Sequence, residues 1–338
     1  MSGAAKKKWE AITIVAFFVA ALLVPVVVRA DYTLQVLFRV FLFAALGLAW
    51  NLVGGYTGQL SLGHAAYFGV GAYGLALFSK LGAPNIVAVL LSMVVAILFA
   101  TLIGAVSFRL RGPYFALSTI AFAEVLRLVA KNLPNVTGGD VGIQVPLLFT
   151  HASIISFYLS AVLLTAAVLG ITVWIVRSRL GYYLMAIRED EDTAMSVGVN
   201  ATKYKLIALL LSSAFTALGG ALYASLFLYI VPDQVLSMDI SSEVAIVAML
   251  GGAGTLIGPL VGSLILESSA EVFKNIFQEA HLLIYGVLIM LVVLFLPKGI
   301  VGTLMQKLRF FKSPPQAPFA AKPPGELNNE PERAAIGE

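Results

Sequence analysis

The sequence has 338 residues, of which 59% are hydrophobic and only 12% are charged, and its mean hydropathy is +0.93. A soluble domain of this length carries about a quarter charged residues, so we predict a polytopic membrane protein of the all-α class. The chain has no cysteine, which excludes disulfides, thiolate metal sites and cysteine nucleophiles. Its net charge of +4 is small for the length, and the Lys and Arg residues lie at span ends and in the tail, which indicates membrane topology rather than nucleic-acid binding.

The first apolar run, residues 11–28, follows three lysines and is long enough to cross about 30 Å of hydrocarbon. We favour a first transmembrane helix over a cleavable signal peptide, because eighteen apolar residues exceed the usual signal core. In either case the lysines stay in the cytoplasm and the next span begins outside. The following predicted crossings are 34–53, 59–78, 86–108, 113–130, 154–176 and 207–231.

Two pairs of arginines set the orientation of these spans, because positive residues accumulate on the cytoplasmic side. The pairs are Arg109 with Arg111 and Arg177 with Arg179. The loop 132–150 between them is predicted to lie outside. The polar segment, defined here as residues 178–205, follows the second pair and is therefore predicted to be cytoplasmic.

The apolar run 242–266 is interrupted by Gly251-Gly252-Ala253-Gly254. If it crossed once, the last span, 282–296, would leave the basic residues that follow it outside, against the positive-inside rule. We therefore predict a broken or re-entrant segment that returns to the outer face. This gives about eight transmembrane helices plus the broken segment, with both termini cytoplasmic. The predicted domains are a cytoplasmic N-terminus (1–10), a transmembrane domain (11–303) and a disordered cytoplasmic tail (304–338).

The polar segment is the one long, densely charged interruption in the apolar chain. Leu184, Met185, Ile187, Ala194 and Val197 recur at spacings that give a short helix one apolar edge. The residues 198–200, Gly-Val-Asn, suit a helix C-cap. A solvated loop is the plain alternative, but the length, the apolar edge and the cap favour a helix that docks a soluble partner.

Several polar residues lie inside predicted spans or in the short connection between two of them, where groups facing lipid are unfavourable, so they are predicted to point into the bundle. They are Asn51, Thr57, Gln59, Ser61 and His64. Two interpretations stay open for them: interhelical hydrogen bonding and the lining of a substrate path. We favour a packed, hydrogen-bonded His64 over a proton relay.

Glu124 and Arg127 lie three residues apart on one helix face and can pair, either as a structural ion pair or as a contact for a passing solute. Gly254, Gly258 and Gly262 are spaced by four, which predicts close helix packing. A charged group near the outer face is predicted to contact a partner or to be hydrated. It consists of Glu267, Glu271 and Lys274.

Four stretches resemble the LivM/LivH permease family of branched-chain amino acid ABC transporters, and the LivM type in particular. They are NLVGGYTGQLSLGHAAYFGVGAY (51–73), RGPYFALSTIAFAEVLR (111–127), MLGGAGTLIGPLVGS (249–263) and LFLPKGIVG (294–302). In addition, DTAMSVG (192–198) is similar to the EAAxxxG pattern of the cytoplasmic coupling helix in ABC importer permeases, with Asp for Glu and Thr for the first Ala. The likeness spans residues 34–303.

The resemblance implies one of two homologous membrane subunits of an importer in the bacterial inner membrane. Its partners would be a LivH-type permease, two cytoplasmic ATPase subunits and a periplasmic amino-acid-binding protein. The implied coupling residues are Arg188, Glu189, Glu191, Asp192, Ala194 and Gly198. The chain has no G-x-x-x-x-G-K-[ST] motif, so we expect partner subunits to bind ATP, and we expect no enzyme activity, cofactor or metal in the chain itself.

The solute stays open at this point. The favoured hypothesis is that the solute is a branched-chain or other small amino acid. The alternative within the same architecture is urea or a short amide. An ion-coupled secondary transporter is a weaker alternative, since it would place acidic residues near the middle of the membrane and only Glu124 meets that condition in the sequence.

Overall fold

The computed structural model describes residues 3–149, 153–277, 286, 290 and 299–310. The predicted last crossing, 282–296, lies outside the described residues except for residues 286 and 290, and so do residues 311–338 of the predicted tail. The chain divides into two units, residues 1–303 and residues 304–338. The helices are α1 (Gly3–Val27), α2 (Asp31–Val53), α3 (His64–Lys80), α4 (Asn85–Ser107), α5 (Pro113–Lys131), α6 (Pro134–Thr137), α7 (Ile154–Arg177), α8 (Arg179–Glu189), α9 (Glu191–Ser196), α10 (Ala201–Phe227), α11 (Pro232–Val235), α12 (Met238–Gly251), α13 (Gly258–Phe277) and α14 (Gly299–Phe310).

The protein is an all-α polytopic membrane protein, as predicted. Six stretches of the described residues are long and apolar enough to cross a membrane: α2, α4, α5, α7, α10 and the stretch from α11 through α12. Two strands of two residues each, β1 (Ile143–Gln144) and β2 (Tyr229–Ile230), pair antiparallel. Their pairing connects the loop that follows α5 to the residues that follow α10.

The central helix of the bundle is α2, which is buried along most of its length and packs against α7, α10, α12 and α13. In contrast, α4 and α5 are largely exposed at the edge. The predicted third crossing begins later than expected, because residues 57–63 are not helical and α3 starts only at His64. The first helix, α1, packs against α7, where the Tyr158 hydroxyl donates to the Ala21 carbonyl at 2.7 Å.

The predicted break after residue 251 is confirmed. Residues 252–257 connect α12 to α13, and α13 runs back along α2, since Thr255 contacts Asn51, Ser263 contacts Val40 and Glu271 contacts Tyr32. The two helices therefore form a hairpin that returns to the end of the bundle from which it entered. It reaches the whole length of α2, so it is deeper than a shallow re-entrant loop. We call the end of the bundle where α2 finishes the predicted inner end.

Candidate functional site

The polar segment forms two short helices, α8 and α9, joined at Asp190. The Asp190 carboxylate accepts a hydrogen bond from the backbone N–H of Thr193 at 2.6 Å and so caps α9. This hydrogen bond holds the pKa of Asp190 below its ordinary value. At the other end, Gly198 has φ +91°, its N–H donates to Met195, and the N–H of Val199 donates to Ala194. This is a Schellman motif, so the predicted C-cap is confirmed.

The apolar edge of the polar segment faces the protein for most of its length. Leu184, Ile187 and Ala194 are buried. The prediction is wrong for Val197, whose side chain is 76% exposed. The reason is local, because α9 ends at Ser196 and the turn at Gly198 carries Val197 off the helix face.

Two acids of the polar segment pair with basic residues of the same chain. The Lys205 ammonium, on the second turn of α10, is buried and lies 2.5 Å from the Glu191 carboxylate. Arg111, in the turn before α5, donates two hydrogen bonds to Asp192 at 2.8 and 2.9 Å, which raises the pKa of Arg111. The two predicted docking carboxylates are thus engaged within the chain, where they tie α9 to α10 and to the α4–α5 turn.

Arg188 makes the third tie, from α8 to the end of α2. Its guanidinium donates to the Gly55 carbonyl at 2.6 Å and lies against Gly254, where a Cβ would come within 2.0 Å of Nη1. The polar segment is therefore in direct contact with both the residues after α2 and the connection of the hairpin.

Asn51 locks these two backbone stretches together. Its side-chain amide donates to the Thr255 carbonyl at 2.9 Å, and its carbonyl oxygen accepts from the Gly254 N–H at 2.7 Å. Gly299 approaches the same connection, since a Cβ there would lie 2.5 Å from the nitrogen of Gly252. Three of the four family-like stretches therefore meet at the predicted inner end, directly beside Arg188.

The polar residues before α3 lie mostly in the bundle interior and are hydrogen bonded. His64 lies between two hydroxyls, with Nδ1 3.2 Å from Ser61 and Nε2 2.9 Å from Ser212. The Thr57 hydroxyl donates to the Val53 carbonyl at 2.6 Å. For His64 the geometry favours interhelical hydrogen bonding over a substrate path, whereas the bond of Thr57 is local to the end of α2. Gln59 differs, because it is only partly buried.

The predicted Glu124–Arg127 pair forms, with two hydrogen bonds of 2.5 and 2.9 Å. Arg127 also bonds Asp233, and Lys131 contacts the same carboxylate at 3.0 Å. Glu124 is partly exposed and borders a cavity of about 270 Å³ that Met238 also lines. The pair is therefore part of a wider ion network between α5 and α11.

A second charged cluster was missed by the sequence analysis. Arg39 of α2 lies 3.7 Å from Glu243 of α12 and 3.2 Å from Glu267 of α13. Glu267 is buried in the bundle rather than hydrated, and Glu124 is not the only acidic residue inside the spans. The signal was present in the sequence, because any ionisable residue within a predicted span marks a candidate site.

The glycines of the hairpin divide into two roles. Gly258 and Gly262 are on α13, and a Cβ at Gly262 would lie 2.0 Å from the Val247 carbonyl, so this face packs directly on the backbone of α12. The prediction that Gly254 shares that helix face is wrong, because it lies in the connection with φ +80°. There it leaves room for the Arg188 side chain.

A helical bundle that encloses hydrogen-bonded polar residues and charged clusters within its spans has the construction of a membrane transport protein. The chain belongs to the family described as branched-chain amino acid transport system, permease component, whose model matches residues 32–293. The predicted family resemblance is thereby confirmed.

Curated relatives agree with this assignment. The chain is 29% identical to the high-affinity branched-chain amino acid transport system permease protein LivM of Salmonella typhimurium over 79% of its own length and 69% of the relative. It is also 29% identical to LivM of Escherichia coli K12, over 88% of this chain and 76% of the relative. LivH of Escherichia coli K12 is 24% identical, over 77% and 91%. No solved structure matches the chain.

Proposed function

We propose that this chain is the LivM-type membrane subunit of an ATP-driven importer in the bacterial inner membrane, and that it moves branched-chain or other small amino acids inward. The family and the names of the relatives support an amino acid over urea or a short amide. The LivH-type sister permease, two ATPase subunits and a periplasmic binding protein complete the importer. ATP is hydrolysed by the ATPase subunits, and this chain is not an enzyme. Both termini lie in the cytoplasm.

The single observation that carries the coupling role is the contact of Arg188 with Gly55 and Gly254. When the ATPase subunits close, they displace α8 and α9, and Arg188 passes the displacement to the end of α2 and to the hairpin connection. The ties of Glu191 to Lys205 and of Asp192 to Arg111 make α9 follow the same movement. The predicted coupling residues thus act partly as internal ties rather than as contacts with the ATPase.

The ATPase subunits dock on the exposed side of the polar segment. This surface is supported by apolar side chains that stand free of the bundle outside any candidate span: Tyr182, Met195 and Val197. Exposed apolar groups grouped on one segment are characteristic of a protein interface. Glu189 and Gly198 lie at the edges of the same surface and are exposed.

The test is purification of the tagged chain from its native membrane in mild detergent, followed by uptake of [³H]leucine and [¹⁴C]urea in proteoliposomes with and without ATP. We expect a second permease and a P-loop ATPase to co-purify, and leucine uptake to require ATP. Uptake by the chain alone without ATP would contradict the proposal. ATP-driven uptake of urea but not leucine would show that the transported solute is urea rather than an amino acid.

The docking surface is tested with Val197→Glu, matched by Leu81→Glu at the opposite end of the bundle, where the side chain is equally free of contacts. Loss of an interface contact of at least about 2 kcal/mol lowers ATPase binding roughly thirtyfold. We therefore expect Val197→Glu, but not Leu81→Glu, to lose the ATPase subunits on purification. Retention of the ATPase in both variants would contradict docking at this surface.

A further inference from the structure

The charged cluster, defined as Arg39, Glu243 and Glu267, lies where α2, α12 and α13 meet. Arg39 is eight residues after the start of α2, which places it about 12 Å along the helix at 1.5 Å per residue. Glu267 is ten residues before the end of α13, or about 15 Å from that end. The three side chains come from three different helices and meet about a third of the way along the 23-residue α2.

The cluster holds two carboxylates and one guanidinium. Among the described residues, Arg39 is the one basic side chain that pairs with either Glu243 or Glu267. An ionised group inside the membrane is unfavourable unless it is paired, and here two carboxylates share one guanidinium, which lies 3.2 Å from Glu267 and 3.7 Å from Glu243. A ligand that brings a positive group would therefore complete it.

The cluster is open on one side. The side chain of Glu267 is only 3% exposed and forms the floor, whereas Glu243 and Arg39, at 24% and 40%, form the rim. A half-exposed guanidinium at this depth does not face lipid without a large penalty, so the rim faces water or another protein chain. The same helix, α12, borders the Glu124 cavity through Met238.

Two polar atoms of the cluster lack a hydrogen-bond partner, and they have opposite character. Oε1 of the buried Glu267 is an unpaired acceptor, and Nε of Arg39 is an unpaired donor. Buried polar atoms are rarely left without partners in a folded protein. An α-amino acid carries the complementary pair, an ammonium donor and a carboxylate acceptor on the same carbon. Urea and other neutral amides offer no charge to match the cluster.

We propose that the charged cluster binds the head group of the transported amino acid on its way through the membrane. The ammonium is held by Glu243 and Glu267, and the carboxylate is held by Arg39, whose position is supported by the ring of Phe43, 6.0 Å from the guanidinium carbon. This inference rests on the proposed function, because it names the contact that an amino-acid importer makes within this subunit.

The experiment measures [³H]leucine binding by scintillation proximity to the purified membrane complex without its periplasmic binding protein. Leucinamide, which keeps the ammonium, and N-acetyl-leucine, which keeps only the carboxylate, serve as competitors. Because the cluster offers two carboxylates to an ammonium and only one guanidinium to a carboxylate, we expect leucinamide to compete better than N-acetyl-leucine. We expect Glu243→Gln and Arg39→Gln to weaken leucine binding at least tenfold, about 1.4 kcal/mol.

The matched control is Glu271→Gln, one turn further along α13, where the carboxylate bonds Tyr32 instead of Arg39; it should bind leucine like the wild type. If Glu243→Gln does not assemble, Glu243→Asp retains the charge with a shorter reach, and we expect it to assemble and bind more weakly. Unchanged leucine affinity in assembled Glu243 and Arg39 variants would overturn the inference and leave a structural ion cluster. A wild-type complex that binds [¹⁴C]urea and not leucine would instead overturn the proposed function, and the inference with it.

Discussion

The tie between Glu191 and Lys205 offers the sharpest test of how the polar segment is held. The Lys205 side chain is 1% exposed, its ammonium lies 2.5 Å from the Glu191 carboxylate, and Glu191 is 20% exposed. Removing one partner of a buried pair leaves an uncompensated charge and costs about 3–5 kcal/mol. Because Glu191 keeps some contact with solvent, we expect Glu191→Ala to destabilise the protein by about 3 kcal/mol, at the lower end of that range.

The converse change, Lys205→Met, is milder because it leaves a carboxylate that water still reaches. We expect it to lower the free energy of unfolding by about 1 kcal/mol. The double variant replaces both charges with apolar groups, which is often close to neutral, so it should resemble Lys205→Met. The two substitutions would then be coupled by about 3 kcal/mol. No other prediction for the polar segment separates a structural tie from a docking contact as directly.

The assay is thermal stability of the purified chain, followed as the loss of its monodisperse peak in size-exclusion chromatography. A loss of 3 kcal/mol lowers the midpoint by roughly 6–12 °C, at about 2–4 °C per kcal/mol for a chain of this size. We expect that shift for Glu191→Ala and recovery of most of it in the double variant. A Glu191→Ala midpoint equal to that of the wild type, or a double variant less stable than Glu191→Ala, would refute the buried tie.

Three further predictions concern the same end of the bundle and the hairpin. Gly262→Leu should abolish folded protein, because a Cβ would lie 2.0 Å from the Val247 carbonyl, whereas Gly170→Leu, at a helical glycine with nothing within 4 Å, should express normally in the same detergent screen. Gly198→Val should destabilise the chain by about 1–2 kcal/mol in thermal scans, because φ is +91° at a site with free space around it. The exchanged pair Arg111→Asp with Asp192→Arg should retain more ATP-driven uptake than Asp192→Arg alone; equal loss in both would show that the identity of Asp192 matters beyond its tie to Arg111.

Features that depend on nearby residues could be read from the sequence. The cap at Gly198 follows from a glycine at the end of a helical pattern, and the Glu124–Arg127 pair follows from a spacing of three on one helix face. The break after residue 251 follows from three glycines in an apolar run and from the excess of positive charge after the last span. In each case the decisive interaction lies within about one turn of helix or within the length of one span.

Features that depend on packing could not be read in the same way. Arg188 and Gly55 are 133 residues apart in the chain, and nothing in the composition of the polar segment indicates that its arginine reaches the end of α2. Glu191 and Asp192 were predicted to face a partner, and only the positions of Lys205 and Arg111 show that they are occupied within the chain. Hydropathy could not distinguish a charged residue that faces outward from one that is paired inside the bundle.

The sequence by itself determined that this protein is a multi-pass helical membrane protein of a permease family, because the length of apolar runs, the placement of charge and the glycine-rich stretches are local properties. Only the tertiary structure decided that Arg39, Glu243 and Glu267 form one cluster and that the polar segment touches the hairpin connection. The physical reason is that helix periodicity fixes which residues share a face, but the pairing of faces depends on how α2, α12 and α13 pack together. That packing is set by the whole bundle at once.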